Sequence, residues 1–224
     1  MQYNEVKKGI FLNRPNRFIA HVLIDDNEVV CHVKNTGRCR ELLVPGTQVW
    51  LEKATNPNRK TAYDLIAVKK ENLLINMDAQ APNKVFNEWA SIFDPSLIKI
   101  KPEYTYGKSR LDFCLQTRKG LHLVEVKGVT LEKEGHTFFP DAPTERGVKH
   151  LYELMHAIKE GHRASVVFVV QMEKVVDFSP NDITHPEFGM TLRKAKEVGV
   201  EIVAANCCVT PNSLKILKRI PVIL

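Results

Sequence analysis

Three residues in the middle of the chain have the types and spacing of a metal-dependent hydrolytic site. Asp112 lies in one apolar segment, and Glu125 and Lys127 lie in the next, with a turn between the segments. In an antiparallel hairpin where Thr117 opposes Gly120, Asp112 faces Glu125, and directly opposed Cβ atoms lie about 5 Å apart. Side chains alternate along a strand, so Glu125 and Lys127 emerge on the same face. The three side chains are therefore expected to converge.

The chemistry that suits this group is cation binding and phosphodiester hydrolysis. Two carboxylates at this spacing repel each other, and a cation between them removes that cost. Carboxylate oxygens suit Mg²⁺ or Mn²⁺, and an ammonium group can orient the attacking water or stabilise charge on a phosphate. The alternative is an ion pair on an exposed strand face, which is common for an E-x-K triplet. The apolar neighbours favour the metal site, because charges among core residues need a partner or a metal. These neighbours are Leu111, Phe113, Leu123, Val124 and Val126.

Two further residues are candidates for the same site. Glu88 lies on a helix predicted for residues 84–93, with Asn83 as its N-cap. If this helix packs on the hairpin, Glu88 adds an acid that helps to hold metal or water; the alternative is a solvated helix position. Gln171 ends a buried strand and is expected to approach the acids as a supporting group.

The elements around these residues follow an α/β order. The strand at residues 164–171 is almost wholly apolar, as expected for a strand that is covered on both faces. The order of elements predicts a central mixed β-sheet flanked by helices. Periodicity predicts strands at residues 110–116, 121–127, 164–171 and 200–205, and helices at residues 84–93, 144–159 and 188–198.

The first eighty residues are predicted to form a separate all-β unit. Short strands between turn residues indicate a small closed barrel, and an OB-like barrel is the best match. The basic face of such a barrel would bind nucleic acid through its phosphates, since no ladder of aromatic residues supports base stacking. The alternative is that these basic residues are solubilising surface charges. They are Arg14, Arg17, Lys34, Arg38, Arg40, Arg59 and Lys60.

A second set of basic residues lies close to the candidate acids in sequence. Arg110 begins a hairpin strand, and Arg146, Lys149 and His150 lie in the first turns of the helix predicted for residues 144–159. A helix N-terminus with nearby cations binds phosphate well. The alternative is a capped helix with exposed charges.

The composition agrees with an intracellular protein that has an anionic partner. The chain has 224 residues and a formal net charge of +6, and such a surplus favours nucleic acid among the anions. The five cysteines form no CxxC pair and fit reduced thiols in the cytoplasm. We expect no signal peptide and no membrane span. The lack of HExxH, P-loop and GxGxxG patterns argues against a zinc hydrolase and a nucleotide-dependent enzyme.

Five sequence blocks cover most of the chain and together are far more specific than the E-x-K triplet. They are HVKNTGRCRELLVPG (32–46), YGKSRLDF (106–113), VEVKGVTL (124–131), FPDAPTERGVKHLYEL (139–154) and HRASVVFVVQ (162–171). In these blocks the chain resembles the sugar fermentation stimulation protein A (SfsA) family. The resemblance implies an N-terminal OB-like domain at residues 1–80 and a domain similar to PD-(D/E)xK nucleases at residues 81–224.

The resemblance also implies roles for individual residues. In the nuclease pattern Asp112 corresponds to the first acid, Glu125 to the second and Lys127 to the lysine, and Glu88 occupies the position of a helical acid. The family is regarded as DNA-binding, and its name describes a regulatory effect on sugar utilisation in bacteria. The name does not identify a reaction.

Our leading hypothesis is a DNA-binding protein with an endonuclease-type site that depends on Mg²⁺ (or Mn²⁺). Asp112, Glu125 and Glu88 hold the metal, and Lys127 assists the nucleophile. By analogy with nucleases that have one site per chain, a homodimer would cut both strands. Two alternatives stay open: a regulator that kept the nuclease fold and cuts nothing, and an RNA-processing enzyme. Divalent-metal binding at the acids would distinguish the enzyme from the regulator.

Overall fold

The computed structural model describes residues 1–35, 37–56 and 58–224. The N-terminal strands are β1 (Val6–Asn16), β2 (Ile19–Ile24), β3 (Asn27–Val33), β4 (Gln48–Lys53), β5 (Tyr63–Lys70) and β6 (Leu73–Asn76). Every second residue of β2 is buried, which is the period of a strand with one face in a core. The strands pair in the order β3-β2-β1-β4-β5-β6, and a further pairing of β3 with β5 closes β1 to β5 into a barrel. The predicted OB-like barrel is therefore confirmed.

The rest of the chain forms a mixed sheet with helices on both faces. Its elements are α1 (Ala81–Phe93), β7 (Leu97–Tyr106), β8 (Ser109–Thr117), β9 (Gly120–Val129), β10 (Leu131–Lys133), β11 (His136–Phe139), α2 (Glu145–Lys159), β12 (Arg163–Val170), β13 (Asp177–Pro180), α3 (Pro186–Val198), β14 (Glu201–Thr210) and β15 (Ser213–Ile220). The large sheet has the order β15-β14-β12-β9-β8-β7. Strands β9, β12 and β14 are parallel, and the others pair in antiparallel fashion. The predicted mixed sheet is confirmed.

The two faces of this sheet pack against different helices. Val124 and Val126 of β9 belong to the core that includes α1, whereas Leu123 belongs to the core that includes α2 and α3. Because side chains alternate along a strand, Glu125 points to the side of α2. None of the helices in the described ranges is both long and apolar enough to cross a lipid bilayer.

Several strands lie outside the sequence prediction. Strand β7 is an edge strand with exposed charges and an internal Pro102, and edge strands tolerate both features. Strands β10, β11 and β13 form a separate small sheet and are too short to show a period. Strand β15, the other edge of the large sheet, was also not predicted. Helix α1 begins at Ala81, so Asn83 lies inside its first turn and is not the predicted N-cap.

Candidate active site

The site forms where strand β8 separates from β9. The two strands pair in the predicted register from Thr117–Gly120 up to Phe113–Val124. At the next position the ladder opens, and the Asp112 carboxylate replaces the missing main-chain acceptor: its Oδ2 accepts a hydrogen bond from Val126 N at 2.8 Å. Its Oδ1 accepts a hydrogen bond from Asn83 Nδ2 at 2.9 Å. The first turn of α1 and the hairpin thus fix both oxygens of Asp112.

Glu125 is the buried acid of the site, with 2% of its surface exposed. Its Oε1 accepts hydrogen bonds from Lys127 Nζ at 2.5 Å and from His150 Nδ1. Its Oε2 is buried and has no hydrogen-bond partner. Buried carboxylate oxygens are normally paired, so this oxygen is the atom in the site that most needs a ligand.

His150 is a site residue whose contact with the acids sequence reasoning missed. It is buried on α2 and reaches Glu125 from the helix side of the sheet. Arg146, one helical turn earlier, donates from Nε to His150 Nε2 at 3.4 Å. These partners assign the proton of the imidazole to Nδ1, which donates to Glu125. The only sequence signal was a histidine on the apolar side of a predicted helix, four residues after an arginine.

The two acids differ in their electrostatic environment. Burial raises the pKa of the Asp112 carboxyl, and the neighbouring Glu125 charge raises it further. Burial also raises the pKa of Glu125, but the His150 hydrogen bond and the positive charge of Lys127 outweigh burial and lower it overall. Asp112 therefore lies in an environment where an added positive charge would stabilise its ionised form.

These features fit a hard divalent cation. Across residues 1–35, 37–56 and 58–224, no three His, Cys, Asp or Glu side chains are arranged to hold a metal ion, so the protein's acidic donors would be Asp112 and Glu125. Mg²⁺ is commonly held by only one or two carboxylates together with water and substrate phosphate. The unpartnered Oε2 of Glu125 and the neighbouring half-buried carboxylate of Asp112 are oxygen donors of the kind that such an ion requires.

The structure does not bring Glu88 to this site. Its carboxylate lies 2.7 Å from the Met1 amino group, and 54% of its side chain is exposed. Met1 in turn donates to Leu214 O of β15, at the far edge of the sheet from β8. Five residues separate Asn83 from Glu88, which is about 1.4 helical turns, so the two side chains leave α1 in different directions. Our expectation that Glu88 supplies a third acid is therefore wrong in its geometry.

Gln171 also has a different place from the one expected. Its Nε2 donates to Asn76 Oδ1 at 2.8 Å and to Asp78 O at 3.1 Å. Asn76 is the last residue of β6 and Asp78 follows that strand, so Gln171 ties the N-terminal domain to the large sheet. Its side chain donates hydrogen bonds at this junction and not to the acids.

Two residues of the expected basic face of the barrel are neutralised by acids. Arg59 pairs with Asp64 at 2.6 Å, and Lys34 lies within 4 Å of the carboxylates of Glu52, Asp64 and Asp78. Burial raises the pKa of Asp64, but its bonds to Arg59 and Lys34 outweigh burial and lower it to about 2. Arg59 and Lys34 therefore belong to a network of ion pairs within the fold and are not available to bind phosphate.

The other basic candidates are more accessible. Arg38, Arg40 and Lys60 are exposed on the barrel. Arg110 is exposed and lies 3.6 Å from Glu103. Lys149 donates to the main chain of the β7–β8 turn, near the start of α2.

Comparison with known proteins gives consistent matches along the whole chain. The family model described as "Sugar fermentation stimulation protein RE domain" matches residues 80–213, and the one described as "SfsA N-terminal OB domain" matches residues 12–77. The sugar fermentation stimulation protein homolog of Clostridium beijerinckii is 56% identical and covers 100% of both chains. That of Ruminiclostridium cellulolyticum is 49% identical over 99% of both. The solved structure of Pyrococcus furiosus SfsA in complex with Ca²⁺ is 28% identical, with a TM-score of 0.90 over 100% of this chain and 98% of that one.

Proposed function

The chain belongs to the sugar fermentation stimulation protein (SfsA) family, and on that premise we propose that it is a DNA-binding protein with a divalent-metal-dependent phosphodiester-cleaving site. The observation that carries the proposal is the buried, unpartnered Oε2 of Glu125. It lies beside a second, half-buried carboxylate, that of Asp112, and both desolvation and the Glu125 charge raise the pKa of Asp112. An isolated structural ion pair would leave no such oxygen, because buried polar atoms are costly without a partner.

Each residue then has a definite role. Asp112 and Glu125 would hold Mg²⁺ or Mn²⁺, which when bound supplies Lewis-acid activation of a phosphate or water. Lys127 keeps its ammonium at the acid pair, where it can stabilise negative charge on a phosphate oxygen. His150 and Asn83 fix the orientations of Glu125 and Asp112, so the two carboxylates are positioned before any ligand arrives.

Binding of DNA is supported by charge and its placement. The net charge of +6 favours a polyanion. Arg146 and Lys149 lie in the first turns of α2, beside the acid pair, where cations and helix N–H groups suit a phosphate. Contacts of this kind release counterions, so affinity for DNA should fall steeply with salt.

The relative from Pyrococcus furiosus gives independent support for a cation. Its structure is described as a complex with Ca²⁺. Ca²⁺ and Mg²⁺ both prefer oxygen ligands, and they differ in coordination number and distance. A fold shared at a TM-score of 0.90 makes divalent-ion binding a reasonable proposal for this chain.

Further parts of the proposal concern organisation. We propose that residues 1–80 hold DNA and residues 81–224 cut it, and that two copies act together to cut both strands, since each chain has one acid pair. All five cysteines are free, which supports a reducing compartment such as the cytoplasm.

One observation favours a second candidate, a regulator that binds DNA without cutting it. Among the residues that the structure describes, only two acids converge, and Glu88 pairs with the Met1 amino group instead. A site that had lost catalysis would be free to lose a metal-binding acid. Such a regulator would cleave no DNA and need not bind a divalent ion, so cleavage measured together with metal binding separates the two candidates.

The test combines cleavage with metal binding. Plasmid, single-stranded and branched DNA, with a matched RNA, are incubated in Mg²⁺ or Mn²⁺ with the parent and with Asp112→Asn, Glu125→Gln and Lys127→Met. We expect cleavage by the parent and a loss of at least about a hundredfold in each variant. Glu88→Gln is the matched control for the two acid variants, because it removes an equal charge from the same protein outside the site. Cleavage that is equal in the parent and the site variants would remove the proposed active site. Metal binding without cleavage of any substrate, or no metal binding, would favour the regulator.

A further inference from the structure

A groove on the barrel lies away from the acid pair and is lined by arginines, apolar residues and two asparagines. It has a volume of about 550 Å³ and runs between the end of β1 and the loop that follows β3. Four arginines line it, and no acidic side chain is among its lining residues in the described part of the chain. The four are Arg14, Arg17, Arg38 and Arg40.

One of these arginines builds the groove and the other three remain available. Arg14 donates from its terminal nitrogens to the main-chain carbonyls of four residues that form the walls; these are Arg17, Asn35, Gly37 and Arg38. Arg17, Arg38 and Arg40 have exposed side chains, and no carboxylate pairs with them among the described residues, unlike Arg59 and Arg110. The walls are therefore fixed, and the positive charges are left for an anionic ligand.

An aromatic ring lies next to the groove. Phe18 is 44% exposed, and the Arg17 guanidinium carbon lies 4.8 Å from the centre of its ring. Exposed aromatic rings beside cationic side chains are the elements that bind unpaired bases, because the base stacks on the ring while its phosphate meets the charge. Bases inside a duplex are already stacked on each other and offer no free face. The combination therefore fits single-stranded DNA better than duplex DNA.

The groove is connected to the acid pair by a short and fixed path. Arg38 N, in the groove wall, donates to Asp141 Oδ2 at 3.2 Å. Four residues after Asp141, α2 begins at Glu145, and this helix carries the His150 that bonds Glu125. Four residues span at most about 14 Å. The groove wall and the helix that carries His150 are therefore close enough for one DNA molecule to reach from the groove to the acid pair.

We propose that this groove binds the single-stranded segment of a DNA that also has a duplex part. Arg17, Arg38 and Arg40 contact its phosphates, and Phe18 stacks on one of its bases. The inference rests on the proposed function and names the substrate class of the same protein: DNA with a junction between paired and unpaired strands.

The test measures binding in EDTA, where cleavage plays no part. Fluorescence anisotropy is recorded for a labelled blunt duplex and for the same duplex with a short thymidine overhang made of DNA or of RNA. We expect the parent to bind the DNA overhang at least about tenfold more tightly than the blunt duplex, since one stacked base is worth roughly 5- to 150-fold. Phe18→Ala and the double variant Arg38→Ala/Arg40→Ala should lose most of this preference, because their affinity for the overhang should fall much more than their affinity for the blunt duplex.

The control is Lys8→Ala, which removes one exposed charge near the other end of β1 and should retain the preference for the overhang. Equal affinity of the parent for blunt and overhanging duplexes would overturn the inference, as would an unchanged preference in both groove variants. Tighter binding of the RNA overhang would overturn the assignment to DNA. These outcomes are separate from cleavage: a protein that cuts blunt duplex in Mg²⁺ without an overhang preference keeps the proposed function and loses this inference.

Discussion

Replacement of Glu125 by Gln tests whether the buried acid is a metal ligand or an internal ion-pair partner. The carboxylate accepts bonds from Lys127 and His150 through Oε1 and leaves Oε2 without a partner. Glutamine has nearly the same shape and can still accept through its single oxygen. It loses the negative charge that a cation needs. The substitution therefore distinguishes a metal ligand from an internal ion-pair partner.

The magnitude follows from two opposing effects in the absence of metal. Two hydrogen bonds lose the negative charge of their acceptor, which costs about 1 kcal/mol each. The Glu125 charge is buried and lies next to Asp112, whose pKa is raised by burial and by Glu125. Removal of this charge therefore stabilises the folded state by a free energy of similar size. The free energy of unfolding of the Gln variant in EDTA should therefore lie within about 2 kcal/mol of the parent.

In the presence of metal, the Tm values of the parent and of the Gln variant should differ. At an ion concentration of a hundred times the dissociation constant, binding to the folded state stabilises the parent by about 2.7 kcal/mol. For a chain of this length that corresponds to a rise in Tm of roughly 5–11 °C. The variant should show almost no rise, because one of the two protein carboxylates is lost.

The assay is thermal unfolding followed by circular dichroism, in EDTA and in a concentration series of Mg²⁺, Mn²⁺ and Ca²⁺. Glu88→Gln serves as the control, since Glu88 pairs with the Met1 amino group and should leave the metal-dependent rise intact. A parent whose Tm does not respond to any of the three ions would refute the metal centre. A Gln variant with the full response would show that the ion binds elsewhere.

Three further predictions test the surrounding structure. Burial of Asp64 raises the pKa of its carboxyl, but its cationic partners outweigh burial and lower the pKa to about 2. Asp64→Asn should therefore reduce the free energy of unfolding at pH 7 by about 2 kcal/mol. This group stabilises the fold above its unfolded pKa, so the gap between parent and variant should close as the pH falls from about 4 to 2 in urea titrations. Gln171→Ala should cost about 1–3 kcal/mol, because it removes two buried hydrogen bonds between the barrel and the large sheet, yet it should preserve the metal-dependent rise in Tm; loss of that rise would place Gln171 at the metal after all. Gly128→Ala should destabilise by about 1–3 kcal/mol in the same titrations, because the new Cβ would lie 2.5 Å from Gln171 Oε1 and 2.8 Å from Pro82 Cγ; a neutral result would mean that this junction is loosely packed.

The parts of the fold that sequence could predict are those with a strong periodic signal. Strand β12 is apolar along nearly its whole length and lies in the centre of the sheet, and β2 alternates because one face lines the barrel. Strand β7 carries no such signal, because an edge strand buries little and pairs on one side only. Its place is decided by the partner strand β8, which lies later in the sequence.

The candidate site also has parts that the sequence could predict and parts that it could not. The pairing of Glu125 with Lys127 could be predicted, since it depends only on strand alternation and is observed at 2.5 Å. The direction of Glu88 could not, because it depends on the rotation of α1 about its axis. That rotation is set by the buried residues Val85, Phe86 and Ala90, whose partners lie on distant strands.

The contact between His150 and Glu125 explains why the acid pair needs the whole domain. Asp112 is fixed by β9 and by the first turn of α1, whereas Glu125 is fixed by its own strand and by α2. The two helices pack on opposite faces of the sheet, so the carboxylates are oriented from both sides by elements that meet only after folding. Two acids and a lysine on a hairpin would be a common surface pattern without these helices. The packing of the hairpin between α1 and α2 gives the two acids and the lysine a geometry suited to one cation.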